Sequence, residues 1–226
     1  MADRITLTSK IDGAEFTAYH VEAQGRRRGG VVVIQEIFGV DHYVREDCER
    51  WAALGFEALA PSLFDRFEPG FDVEHSPEGI QQGFKHAQAN PRENPLSDIQ
   101  ACIDWLKPKG PVFATGYCYG GSMVWLAAGK LNDLAAGASY YGSMVQAHAD
   151  QALLTPVIVH LGRKDAHIPA DDVKDAVQSH HKDTPVYIYE NSGHGFNNEG
   201  GPGWDKDDAE LARRRTLELF ETNGAL

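Results

Sequence analysis

Six near-continuous apolar runs set the limits on this chain: "GVVVIQE", "FEALAP", "PVFATG", "AAGASYY", "PVIVHLG" and "VYIYE". A strand that is apolar on both sides must be buried on both faces. That is the condition of a parallel sheet sandwiched between helices. Ahead of these runs, "RITLTS" and "FTAYHV" alternate polar and apolar residues, which predicts an opening antiparallel pair. Stretches of helical period separate the runs and predict helices over roughly 41–54, 77–88, 94–107, 119–130, 170–181 and 205–222. In the third of these, Asp98, Ile99, Cys102, Ile103 and Leu106 have amphipathic i, i+3/i+4 spacing. The alternation predicts one doubly wound α/β domain over residues 1–226, a mostly parallel central sheet with helices on both faces. The Pro/Gly-rich stretches "FEPGFDVEHSPEG" and "EGGPGW" are too short for interdomain linkers and read as surface loops.

Composition narrows the function. The formal net charge is −12, and the basic runs are confined to Arg26–Arg28 and Arg213–Arg215. The first sits between glycines and reads as an exposed turn; the second, on an acidic helix, reads as a solvated face. Neither offers the positive footprint that nucleic acid requires. No apolar run approaches the roughly 18–20 residues of a membrane span, and "MADRITLTSKIDGAEF" lacks a secretory apolar core. These features predict a soluble, cytoplasmic protein, a monomer or small homo-oligomer. Three cysteines without CxxC spacing argue against a disulfide framework or zinc ribbon, and Cys48 and Cys102 fall on predicted helices as core residues. No histidine pair has metal spacing, and His180–His181 reads as exposed, so neither metal nor cofactor is expected.

In a sheet of this kind ligands gather at the carboxyl ends of the strands. One such end reads "TGYCYGG", placing Cys118 in a G-x-C-x-G bend between strand and helix. This is the thiol form of a nucleophile elbow, in which glycines permit a tight turn and the helix N-terminus favours a thiolate. The N–H of Tyr119 would then point to a developing oxyanion. The pentapeptide alone leaves packing and reactivity evenly matched. Asp165 follows Cys118 by 47 residues and His194 follows Asp165 by 29, each just beyond a predicted strand. Nucleophile, acid and histidine in that order are the chain order of a hydrolase triad. Asp165 taken alone reads equally as a turn or helix-capping residue. Glu36, at the end of "GVVVIQE", is a carboxylate where burial is costly without a partner or a task. It either caps the following helix or pairs with an arginine, or it neighbours the thiol and controls its protonation. Ile37 N–H then supplies the second oxyanion donor.

Taken together, "QEIFGV", "RWAALGFEALAPSLF", "TGYCYGG", "YYG", "GRKDAHIP" and "SGHGF" resemble the dienelactone hydrolases (carboxymethylenebutenolidases) over nearly the whole chain. The resemblance implies an α/β-hydrolase fold and hydrolysis of a lactone or ester. It assigns Cys118 as nucleophile, His194 as general base and Asp165 as its orienting acid. It matches Glu36 to a glutamate that holds the resting thiol's proton and releases it when substrate binds. Two arginines that clamp the substrate carboxylate in dienelactone-specific members are missing. Asn197 and Asn198 stand where one is expected, and "SPEGIQQGFKHA" contains no arginine. Arg66 matches a common family arginine and is expected to supply one positive charge. Loss of the clamp points to a lactone or ester other than the classical dienelactone. Phe38, Tyr141 and Phe196 are expected to line the pocket with Arg66, Asn197 and Asn198; ordinary packing is the competing reading for each aromatic ring. A non-catalytic small-molecule-binding or redox-sensing protein on the same scaffold is the competing function, but a sensor thiol needs no aspartate-oriented histidine.

Overall fold

A computed structural model describes residues 2–225. Eight strands form one sheet: β1 (Ala2–Thr8), β2 (Glu15–Val21), β3 (Gly29–Ile34), β4 (Phe56–Pro61), β5 (Val112–Tyr117), β6 (Ala136–Tyr140), β7 (Val157–Gly162) and β8 (Val186–Tyr189). Their order is β1-β2-β4-β3-β5-β6-β7-β8. β2 runs antiparallel to both β1 and β4, and every other pairing is parallel. The five apolar strands from β3 to β7 are buried along their whole length, as strands covered on both faces must be. β1, at the edge, is largely exposed.

Among the described residues six α-helices complete the fold: α1 (His42–Ala53), α2 (Pro77–Ala89), α3 (Glu93–Leu106), α4 (Tyr119–Lys130), α5 (Ala170–His180) and α6 (Lys206–Thr222). All six fall within a residue or so of the ranges predicted from periodicity. α1 and α6 meet on one face of the sheet, where Trp51, Phe56, Phe113 and Phe220 pack ring to ring. α3 covers the other face, where Leu106 lies against Gly30 of β3, and α4 packs beside it. Among the described residues no helix is long and apolar enough to cross a membrane.

The arginine runs are not what their sequence suggests. Arg27 and Arg28 are half-buried and paired, Arg27 with Glu57 at 2.8 Å and Arg28 with Glu221 at 2.6 Å. Arg213 shares a helical face with Thr216 and Phe220, binds buried Asp47 and lies over the Trp51 ring. Arg215 stacks on Tyr187, its guanidinium carbon 3.8 Å from the ring centroid. A three-residue run on a helix spans nearly a full turn, so its members face in different directions.

Cys48 and Cys102 are fully buried, as expected of core residues, and burial pushes both thiols well up. His160 is fully buried as well. Thr216 donates to the Ala212 carbonyl at 3.0 Å, so it accepts from Tyr140 (2.8 Å) and from His160 Nε2 (3.1 Å). His160 Nδ1 then accepts from Tyr189 at 2.8 Å, and every polar atom of the cluster is satisfied with a neutral ring. Burial, reinforced by the Arg215 charge, lowers the His160 pKa to about 3.

Candidate active site

Five adjacent parallel strands deliver their C-terminal loops to one place. Cys118 directly follows β5 and has the left-handed angle φ 53° with ψ −110° immediately before the first residue of α4. Its N–H donates to the Tyr140 carbonyl at 3.0 Å, fixing the bend against β6. A non-glycine residue held at positive φ carries strain that its surroundings must maintain. Gly120 makes the bend possible, because a Cβ there would lie 2.3 Å from the Ile34 carbonyl oxygen. The start of α4 is therefore set directly against the end of β3, beside the segment that carries Glu36 and Ile37. As the first residue of α4, Tyr119 has an N–H without an intrahelical acceptor.

His194, on the loop after β8, donates from Nδ1 to Asp165 Oδ2 at 2.7 Å. Asp165 uses its other oxygen to accept from the N–H groups of His167 (2.8 Å) and Ile168 (3.2 Å). One oxygen thus closes a turn and the other holds the His194 ring. Burial favours its neutral acid, yet the bond and charge of His194 and the two N–H groups outweigh that and hold its pKa low. Burial likewise disfavours a charged His194. The hydrogen bonds to Asp165 and to the Cys118 sulfur, with the charges of the carboxylate and the thiolate, prevail and raise its pKa to about 10. An imidazolium facing a sulfur is the partner a thiolate needs.

Glu36 is buried, and its Oε2 accepts from Asn198 Nδ2 at 2.9 Å, with His75 Nε2 at 3.9 Å. It does not cap α1: Asp41 does, accepting from Val44 N–H at 3.0 Å. Nor, among the described residues, does it pair with an arginine. Burial pushes its pKa up, as does the Asp41 charge, against the pull of His75, Asn198 and His194. Tyr141 stands where the charges of Glu36 and Cys118 are both felt, its ring 4.9 Å from that of His194. It has φ 37°, and its fully buried hydroxyl has no hydrogen-bond partner among the described residues.

Two expectations are corrected here. Arg66 is no free charge for a substrate: its guanidinium binds Asp12 at 2.9 and 3.1 Å and the fully buried Asp98 at 2.8 Å, with a second bond to the same carboxylate. An arginine near a strand end looks available in sequence because its acids are 54 and 32 residues away. Phe196 is fully buried between Tyr141 (5.6 Å) and Tyr189 (5.1 Å), so it backs the site as packing and presents no surface to it. Asn197 is buried beside it and lines a cavity of about 10 Å³ behind Glu36.

Sequence reasoning missed three polar residues. Gln35 is fully buried and its Oε1 accepts from Leu63 N–H at 3.0 Å, tying the ends of β3 and β4 together. Its signal was available, since the cost of a buried polar strand end applies to it as to Glu36. Asp41 and His75 bond to each other at 2.6 Å, and Phe38 stacks on His75 with centroids 3.7 Å apart. No motif or periodicity marked either residue.

With this geometry in place, likeness to known proteins becomes informative. The model of the dienelactone hydrolase family matches residues 16–224. The chain is 28% identical over 231 residues to carboxymethylenebutenolidase 1 of Cupriavidus pinatubonensis, covering 97% of each. It is 31% identical over 211 residues, 85% of each chain, to a Synechocystis protein provisionally assigned as a carboxymethylenebutenolidase. A Klebsiella pneumoniae crystal structure, provisionally assigned as a dienelactone hydrolase, superposes with a TM-score of 0.82 at 26% identity over 98% of this chain and 99% of that one. An eight-stranded α/β-hydrolase sheet, a family match over nearly its full length and relatives of matching extent lead to one conclusion: the chain is a hydrolase belonging to the dienelactone hydrolase family.

Proposed function

We propose that this hydrolase cleaves a small lactone or ester through a thioester on Cys118. The observation that carries the reading is the chain of contacts from Asp165 to His194 to a half-buried Cys118 held at positive φ. The Cys118 thiolate attacks the carbonyl carbon, and the N–H groups of Ile37 and Tyr119 receive the oxyanion. The leaving alkoxide takes the proton of His194, and the neutral imidazole, oriented by Asp165, then activates the water that hydrolyses the thioester. Glu36 controls the thiol proton. A thiolate suits an activated ester, enol lactone or thioester better than a fat or peptide. Arg66 is already bound to two carboxylates and Asn198 is neutral, so neither offers a bidentate cationic clamp. This favours substrates without the carboxylate of dienelactone. A redox sensor would need a resolving thiol, and the two candidates are fully buried.

Turnover of p-nitrophenyl acetate and of a dienelactone by wild type, Cys118→Ala and His194→Ala tests the mechanism. Both substitutions should abolish turnover of the acetate, and wild type should favour it over the dienelactone. Turnover that survives Cys118→Ala would sink the mechanism.

A further inference from the structure

His75 has no part in the reaction as described, yet it stands beside Glu36, the carboxylate that controls the thiol proton. It ends the loop before α2, next to Ser76, the cap of that helix. Its ring lies on Phe38 with 19° between planes and 4.9 Å from the Tyr43 ring. Its Nε2 is 2.6 Å from Asp41 Oδ2 and 3.9 Å from Glu36 Oε2. Asp41 is itself immobilised, because its other oxygen caps α1. Asn198 approaches Glu36 from the loop after β8. A histidine with an anchoring carboxylate on one side and a buried carboxylate on the other forms a second acid–imidazole pair, separate from Asp165–His194.

We propose that His75 is a positioning residue for Glu36: anchored by Asp41, its imidazolium keeps the Glu36 carboxylate ionised and in place to receive the Cys118 thiol proton. The proposal rests on the reading of Glu36 as the group that controls that proton. The step moves one proton from Cys118 Sγ to a Glu36 oxygen, leaving a thiolate and a neutral acid. His194 protonates the departing alkoxide, water hydrolyses the thioester with His194 as base, and the released thiolate retakes its proton from Glu36.

The surroundings make such a cation necessary. Burial and the Asp41 charge both press Glu36 toward its neutral form, and His75 is foremost among the groups that oppose them, ahead of Asn198 and His194. Burial works against a charged His75, but the Asp41 hydrogen bond and the charges of Glu36 and Asp41 outweigh it and raise its pKa. The other groups facing Glu36 are Tyr43 on α1, Tyr141 after β6, and Asp47, Arg50 and Tyr117 across the small cavity. Arg50 is occupied by Glu199 at 2.6 Å, Asp47 binds Arg213, and Tyr117 donates to Asp47 at 2.6 Å. Arg45, also on α1, binds Asp72 at 2.7 Å.

The test is the pH dependence of kcat/KM for p-nitrophenyl acetate in wild type, His75→Gln, His75→Phe, Glu36→Gln and the Glu36→Gln/His75→Gln pair. Glutamine preserves a hydrogen bond to Asp41 and phenylalanine preserves the stack on Phe38, while both remove the charge. The acidic limb should move up by about one pH unit in both His75 variants, as expected for losing a charge about 4 Å away in a half-wet site. Activity near pH 6 then falls several-fold while the alkaline plateau holds, and the pair should show no shift beyond Glu36→Gln alone. An acidic limb unmoved in both His75 variants but altered by Glu36→Gln overturns the proposal and leaves Glu36 its role. A limb indifferent to Glu36→Gln removes the role of Glu36, and the proposal falls with it.

Discussion

Asp165 joins backbone to chemistry within one side chain. One oxygen closes a turn on two N–H groups, and that turn aims the other oxygen at His194 Nδ1. Asp165→Asn is nearly isosteric, but it has one acceptor where two are needed. Its carbonyl would stay with the turn, leaving an NH₂ facing the imidazole and favouring the wrong tautomer. In the proposed mechanism kcat should fall on the order of 10³-fold with little change in KM or melting temperature; steady-state kinetics beside thermal melts check this. The order of Cys118, Asp165 and His194 was legible because each follows a strand whose apolar run is unmistakable. The pairings of Glu36 with Asn198 and of His75 with Asp41 were not, since they join loops 162 and 34 residues apart that only the finished sheet brings together. Arg66 was misread for the same reason: a cation is visible in sequence, but its neutralising partners are not.

At the scale of elements, helices were predictable to within a residue and strands to within two, because burial on both faces leaves a dense apolar signature. Helical faces were harder. Asp98 sits within the apolar stripe of α3 and is fully buried against Arg66, so the stripe was right and its one acid was the clue to a buried ion pair. On α6, Arg213 enters the core and meets Asp47, which also accepts from Trp51 (3.1 Å) and Tyr117 (2.6 Å). The pair thereby fastens α6 and α1 to the strand that carries the nucleophile. Asp47→Ala would strand a cation in the interior and should cost about 3 kcal/mol or more. The double change Asp47→Leu/Arg213→Met should cost distinctly less, because it removes both charges. Urea unfolding of the three proteins decides between these outcomes.

Across the whole molecule, acid tolerance should be governed in part by a residue outside the site. His160 binds a proton readily when unfolded, near its ordinary value of 6.5, but only at about 3 when folded. Between those values the unfolded chain carries the extra proton, so stability contributed by this residue is intact above pH 6.5 and drains as pH falls. The loss should reach about 2–3 kcal/mol between roughly pH 7.5 and 4.5. His160→Gln, whatever its absolute stability, should show a flatter slope of unfolding free energy over that range in denaturant titrations.

The burial of two of the three cysteines has a consequence for handling the protein. Cys48 and Cys102 lie in the interior with their thiols pushed toward the unreactive form, and Cys118 is the half-exposed one. The native fold thus confers on a three-thiol chain the labelling behaviour of a single-thiol one. A maleimide or iodoacetamide tag can be installed at the elbow without removing the other cysteines, and the number of tags per chain becomes a gauge of how much of a sample is folded.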